Sequence, residues 1–417
     1  MKWLTVLAAL LLPQASAWAG ENAPAPSALT LNGSVRTGYW SSNRQLDDKI
    51  GYMPSSLWLK MAVDPGGGWY ARGEGWVMHE RPFSKDGRVR ADLREGFVGW
   101  RGDAVEVTFG RRIISWGRAD RINPTDVITS RDYTWLFAEE ENQKQGSVVA
   151  TLSYAIGDLT ATALWLPEFR PNVYPIPRTY GLFVRQGTDQ LKADQFALRL
   201  DRTGKGFDWA LSYFRGINRD PGARLTRISA AGVSVESVYD RLQVWGADFA
   251  TNIGGFGLRG EIAYAQSDGA HGDIFSPRPF VRSVVGLDRN VMETLNINVQ
   301  YVFQGVFSYK EPAYGAYSPL TRLAVETALL NNQRLRVQHG VAVRIGYTTL
   351  NDTLNLEMSA LAFFTDGSFV LRPRATYAIN DHLKVTAGAD IFQGGRDSYF
   401  GQLKRNTLFL TEIRYSF

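Results

Sequence analysis

An antiparallel, up-and-down β-barrel of about 18 strands, closed on itself across a membrane, is the all-β fold this sequence predicts. Three observations predict it. Segments of about ten residues alternate apolar and polar side chains along most of the chain, the period-two signature of a strand with one greasy face. The connections between them are short and long by turns, so short ones collect on one side of the sheet and long ones on the other. Aromatic residues are abundant, with 22 Phe, 18 Tyr and 12 Trp, enough for a girdle at each membrane interface.

The alternation is plainest in TLNINVQYVF, where Leu295, Ile297, Val299 and Tyr301 share one face and Asn296, Asn298 and Gln300 the other. TLNLEMSALAFF repeats it, with Leu354, Leu356 and Met358 opposite Asn355 and Glu357. A soluble sandwich would turn the apolar face inward and a barrel turns it to lipid; the aromatic content favours the barrel. Strands are predicted at 29–40, 54–64, 68–79, 90–101, 104–114, 146–155, 158–166, 195–202, 206–216, 240–251, 256–267, 279–288, 293–304, 338–349, 352–364, 368–378, 383–393 and 405–417. An even count returns both ends to the same side. Short connections such as Gly102-Asp103, Gly204-Lys205, Gly254-Gly255 and Asn380-Asp381 alternate with long ones at 115–145, 167–194, 217–239, 268–278, 305–337 and 394–404. No linker or low-complexity run divides the chain, so one barrel takes 29–417. In lipid every backbone donor and acceptor must be paired, which leaves only helices or closed barrels.

The ends speak to location. Lys2, the apolar run Leu4 to Leu12 and Ala17-Trp18-Ala19 predict a signal peptide over 1–19, followed by a short periplasmic segment, 20–28. The segment Gly20 to Ala28 is far too short for the plug of an energised receptor. LFLTEIRYSF alternates up to an aromatic last residue, Phe417, and resembles the signal that bacterial outer-membrane barrels present to their assembly machinery. There is no cysteine, hence no disulfide, and no run of about 18 apolar residues that would make a spanning helix. The 46 basic and 41 acidic residues are scattered, which gives nucleic-acid binding little support. The expected surroundings are outer-membrane lipid and small solutes; a homo-oligomer or an envelope-transporter partner stays open.

The segment WGRADRINPTD, Trp116 to Asp126, interrupts the strands with a polar knot in the long connection after the fifth strand. Asn123 as cap, Pro124 at the first position and Asp126 in the first turn predict a short helix. Around it stand Arg111, Arg112, Arg118, Asp120, Arg121, Arg131 and Asp132, with Glu139, Glu140 and Glu141 further on. Opposed charges at a waist set up a transverse field that orients polar solutes; alternatively they pair with one another and pin the loop to the wall. Trp116 and Trp135 either line the path or wedge the loop in place. Arg199, Arg344, Arg372, Arg374 and Lys384 are predicted on the pore wall and tilt it basic. SPLTRLAVETALLNNQ reads as a helix begun at Ser318-Pro319 and stopped at Asn331-Asn332, either a lid or a helix packed on neighbouring loops.

The connection at 115–145 resembles the third outer loop of general porins, which folds back into the lumen. The run GRRIISWGRADRINPTDV, Gly110 to Val127, with its W-G-x-x-D-x-I-N-P-x-D core, is similar to a signature of poorly characterised porin-like outer-membrane proteins of proteobacteria, as are LRPRATYAINDHLKVTAGADIF, FGQLKRN and EIRYSF. The resemblance implies a channel and brings no catalytic residues; some relatives stand beside envelope transport systems, which implies export or lipid trafficking as the alternative.

Other chemistry has weaker support. GFGLRG, Gly255 to Gly260, matches a dinucleotide fingerprint but joins two strands instead of a strand and a helix. His79, His271, His339 and His382 show no metal-ligand spacing. Ser267 with His271, or Ser84 with His79, lacks an orienting third group. The expectation is therefore a non-enzymatic channel without cofactor or metal, passing small polar or charged solutes and narrowed by the loop at 115–145.

Overall fold

In the computed structural model, the described residues are 28–42, 51–81, 87–175, 182–186, 194–204, 206–229, 232–268, 273–313, 318–396 and 398–417. The predicted signal peptide and nearly all of segment 20–28 lie outside them, as do Ser84 and His271. Eighteen strands follow one another: β1 Ala28–Ser42, β2 Ser55–Gly66, β3 Trp69–Glu80, β4 Arg88–Arg101, β5 Val105–Arg112, β6 Ser147–Ile156, β7 Leu159–Leu166, β8 Gln195–Arg202 and β9 Phe207–Ile217. The second half comprises β10 Arg241–Ile253, β11 Phe256–Ser267, β12 Phe280–Met292, β13 Leu295–Val306, β14 Val337–Thr349, β15 Leu354–Phe363, β16 Ser368–Ala378, β17 Leu383–Gln393 and β18 Leu408–Ser416. Each pairs antiparallel with the next, and β18 pairs with β1 from Ser34↔Ser416 to Ser42↔Leu408. The barrel is closed and has no free edge, which is how a sheet survives in lipid.

The direction of the pleat is settled by exposure. On β13, Val299 and Tyr301 are exposed while Asn298, Gln300, Val302 and Gln304 are buried. Phe409, Ile413 and Tyr415 on β18 and Phe196, Leu198 and Leu200 on β8 also face out. An apolar belt therefore looks outward, and polar side chains look into the enclosed space. The turn-side connections are tight. Gly254 and Gly255 both adopt left-handed angles (φ +57° and +81°) between paired Ile253 and Phe256, as a two-residue hairpin turn of the primed kind requires. That places the dinucleotide-like GFGLRG at a hairpin, with no helix behind it.

The long connections carry structure of their own. Helix α1, Ser318–Leu330, forms where predicted, and Asn332 ends it at φ +53°. Its buried stripe is Leu320, Ala324 and Ala328; Leu320 and Ala324, with Leu323 alongside, pack against Ala223, Val233 and Val235. Those partners sit on a four-stranded outer sheet built from Leu182–Gln186, Gly222–Ser229, Gly232–Val238 and Asp273–Phe275. That sheet was not expected, because its strands come from three different connections and one pairing is parallel; the alternation in RLTRISAAGVSVESV was the available signal.

Candidate functional site

The connection between β5 and β6, residues 113–146, enters the barrel and contacts the wall on nearly every side. Its descending arm starts at Trp116, buried against Ile128, Leu166, Phe214 and Val244. Gly117 takes φ +101°, and a Cβ there would stand 2.5 Å from Glu261 Oε1, so only glycine brings the backbone this close to the wall. The predicted helix over INPTD is not formed. Asp126 N–H donates to Asn123 O (3.0 Å) and Val127 N–H to Thr125 O (3.1 Å), which makes a single turn. Asn123 does not cap: its Oδ1 is buried without a partner. The amide that would open a helix is taken by the wall instead, Thr125 N–H donating to Glu261 Oε2 (3.3 Å).

Glu261, on β11, is the hub of this arm. It also accepts the N–H groups of Arg118 and Ala119 (2.6 Å each) and the Thr125 hydroxyl (2.9 Å). Arg118 then reaches Asp201 (3.0 Å) and Asp248 (3.3 Å), and Arg199 bridges the same two carboxylates at 3.1 and 2.8 Å, a closed group of two cations and two anions. Asp120 pairs with Arg344 on β14, and the Gln300 side-chain amide brackets its backbone, donating to Asp120 O (3.0 Å) and accepting from Asp120 N (2.7 Å). Arg121 adopts φ +66°, costly for a side chain with a Cβ, and is held by Glu357 (2.6 Å) and Ser359 (3.2 Å) on β15.

The returning arm, 130–145, is held differently. Ser130–Arg131 pairs with Lys144–Gln145 as a two-residue ribbon. Asp132 is buried; it bonds Arg90 of β4 at 3.0 Å and accepts from Thr134 N–H at 2.9 Å. Trp135 and Phe137 insert among Trp58, Trp76 and Met78 of β2 and β3, with Trp76 and Trp135 edge to face at 4.7 Å. Leu136 joins Trp40, Tyr52, Leu408 and Leu410. Glu139 reaches Arg414 (3.1 Å), Glu140 reaches Arg372, and Lys144 pairs with Glu141 (2.7 Å) and Asp126 (3.5 Å). Burial pushes the Asp126 carboxyl above its ordinary value, and nearby Lys144 offsets this only in part.

Beside and above the loop lies a cavity of about 2570 Å³. Of the predicted constriction residues, Asp120, Arg121, Asp126 and Arg131 line it; of the predicted wall residues, Arg344, Arg372 and Arg374 do. The others are placed elsewhere. Arg118 and Arg199 are consumed in their group with Asp201 and Asp248, and Asp132 is shut in beside Arg90. Arg111 shares a strand face with the outward Val107 and Phe109 and pairs with Glu168 (2.9 Å) at the outer rim. Lys384 is exposed near the turn-side end of β17, across from Arg414. Trp116 and Trp135 are buried wedges and do not line the path. Many charged cavity residues went unpredicted, among them Asp390, which pairs with Arg374, and Arg282, which bonds Gln304 (2.6 Å) and Asn331 O (3.0 Å) and has no carboxylate within 4 Å among the described residues. Both sit at polar positions of alternating strands, and that parity was the only signal.

A closed barrel with a lipid-facing belt, a polar lumen and an inward loop that leaves an open cavity defines a porin-type outer-membrane channel. Residues 4–318 match the model of the Gram-negative porin family, and the chain belongs to that family. It is a channel of the outer membrane for the diffusion of small solutes. No curated protein matches it in sequence. Among solved structures it is similar to Pseudomonas aeruginosa OpdK with vanillate (10% identity, 93% of this chain and 98% of that one, TM-score 0.58), to OccK11 (OpdR) of the same organism (10%, 93% and 95%, 0.54) and to Acinetobacter baumannii OccAB3 (11%, 93% and 99%, 0.53). At such identities the likeness speaks for the fold.

Proposed function

We propose that this channel passes small polar solutes with a preference for anions, and that it does so without catalysis or cofactor. The observation that carries the preference is the charge of the cavity wall. Among the described residues, twelve Arg and Lys side chains of the lining stand against eight Asp and Glu, and the Arg282 guanidinium meets no carboxylate. In a low-dielectric ring an unbalanced cation raises the local concentration of anions. Arg344 and Arg372 on the wall are in direct ion pairs with Asp120 and Glu140 on the loop, so these pairs fasten the loop and present a polar edge to a solute passing beside them. The W-G-x-x-D-x-I-N-P-x-D run supports a finer grouping with porin-like proteins that share it, since Gly117, Asp120 and Asp126 each have a distinct place in the fastened loop.

The partners follow from the surface. The apolar belt fits outer-membrane lipid. Phe417 exchanges backbone hydrogen bonds with Gly33 across the seam (2.9 and 3.0 Å) and lays its ring over that glycine, so the last residue is part of barrel closure, which suits a role as the signal for the assembly machinery. The preference is tested in planar bilayers under a KCl gradient. The reversal potential should report anion selectivity and move toward cations in Arg282→Glu; a cation-selective parent channel contradicts the reading.

A further inference from the structure

We propose that Glu261 is the positioning residue that sets the aperture of the channel, and that its charge is hidden from the lumen only while the loop is clasped to it. Glu261 is 3% exposed, and among the described residues its carboxylate accepts four hydrogen bonds, all from the loop: the N–H groups of Arg118 and Ala119 on one side of the turn, the N–H and hydroxyl of Thr125 on the other. Converging amides around an anion form a nest, and charge-assisted hydrogen bonds of this kind are among the stronger ones in proteins. Because both sides of the turn meet at one point on β11, the residues between them, Asp120 and Arg121, are carried across the lumen to β14 and β15. Arg259, next inward on the same strand, adds a bond to Arg118 O (3.3 Å). Gly117 belongs to the clasp as well, since a methyl group there would collide with the carboxylate.

Two ways of opening the clasp have opposite electrical consequences. Glu261→Gln replaces an acceptor oxygen by an amide donor that faces loop N–H groups, so the turn is released and one negative charge is removed. Gly117→Ala forces the turn off the wall and leaves an uncovered carboxylate in the lumen. Both variants should therefore widen the path, and only the second should add an exposed negative charge to it.

The experiment uses the purified full-length barrel in planar bilayers, with folding checked by the heat-dependent shift in gel mobility typical of such barrels. Single-channel conductance should rise about twofold or more in both variants, because the loop no longer obstructs the lumen. Under a KCl gradient the reversal potential should move toward cations in Gly117→Ala and toward anions, or not at all, in Glu261→Gln. Thr125→Val removes only the hydroxyl donor and should give a smaller rise, which keeps the idea open to test if a stronger variant does not fold. A folded variant with the parent's conductance, or a cationward shift in Glu261→Gln, overturns the proposal.

Discussion

The two arms of the inward loop are fastened to the same barrel by different physics. The descending arm, 116–126, is held by a carboxylate nest at Glu261 and by charged groups spread over β8 to β15. The returning arm, 130–145, is held by Trp135, Phe137 and Leu136 pressed into the wall formed by β1 to β3 and β18, and by ion pairs of Asp132 with Arg90, Glu139 with Arg414 and Glu140 with Arg372. The polar arm faces the cavity, where side chains must stay in contact with water and solute. The returning arm also meets the cavity, through Arg131, Glu140 and Lys144, but its Trp135 is turned into the wall and behaves as core. A loop inside a pore can thus be rigid on one side and chemically active on the other.

The contrast can be broken by mutation. The largest effect should come from Trp135→Ala, which empties an aromatic pocket and should cost about 3–5 kcal/mol, read from denaturant unfolding of the detergent-folded protein together with protease sensitivity of the loop. A cost under about 1 kcal/mol would mean that the aromatics do not hold this arm. Asp132→Ala should follow at about 2–3 kcal/mol, since the one carboxylate Arg90 then keeps among the described residues is Glu80 at 3.6 Å and the Thr134 donors lose this acceptor, and its cost should change little with salt because the Asp132 carboxylate itself is buried. Arg118→Ala should cost about 1–2 kcal/mol, and more of that should disappear as salt is raised, because Asp201 and Arg118 both keep some contact with solvent.

Smaller effects sharpen the comparison. Burial raises the Asp126 carboxyl, so the folded state holds that proton more tightly than the unfolded chain does. Its contribution to stability is then fully present below the unfolded value and is lost as pH rises through the raised folded value. Asp126→Asn should change stability by less than about 0.5 kcal/mol in acid and should remove this downward slope toward neutral pH, as seen in unfolding midpoints taken across that range. Arg111→Ala should leave conductance unaltered, because its side chain stands at the outer rim; a change in conductance would place Arg111 in the pore after all.

The barrel was readable because its rule is local. Leu295 to Tyr301 alternate whatever else the chain does, and each strand announces itself to its neighbours through a turn. The fasteners of the loop were not readable, because they join distant residues: Arg118 to Asp201 across 83 positions, its N–H to Glu261 across 143, Arg121 to Glu357 across 236. Charge clustering in the sequence located the loop and could not say which members would be spent on one another. For the same reason INPTD misled as a helix start. Its capping residues are suited to any turn that needs its first amides satisfied, and Glu261, far away in the chain, satisfies them without a helix.

If residues 113–146 narrow an otherwise open aqueous channel, removing part of them must enlarge it. Deleting residues 118–132 and comparing single-channel conductance in planar bilayers tests this most directly. The parent protein should show a stable conductance and the deletion a clearly larger one; equal conductances from two properly folded barrels, or silence from both, would mean that the loop does not narrow the channel.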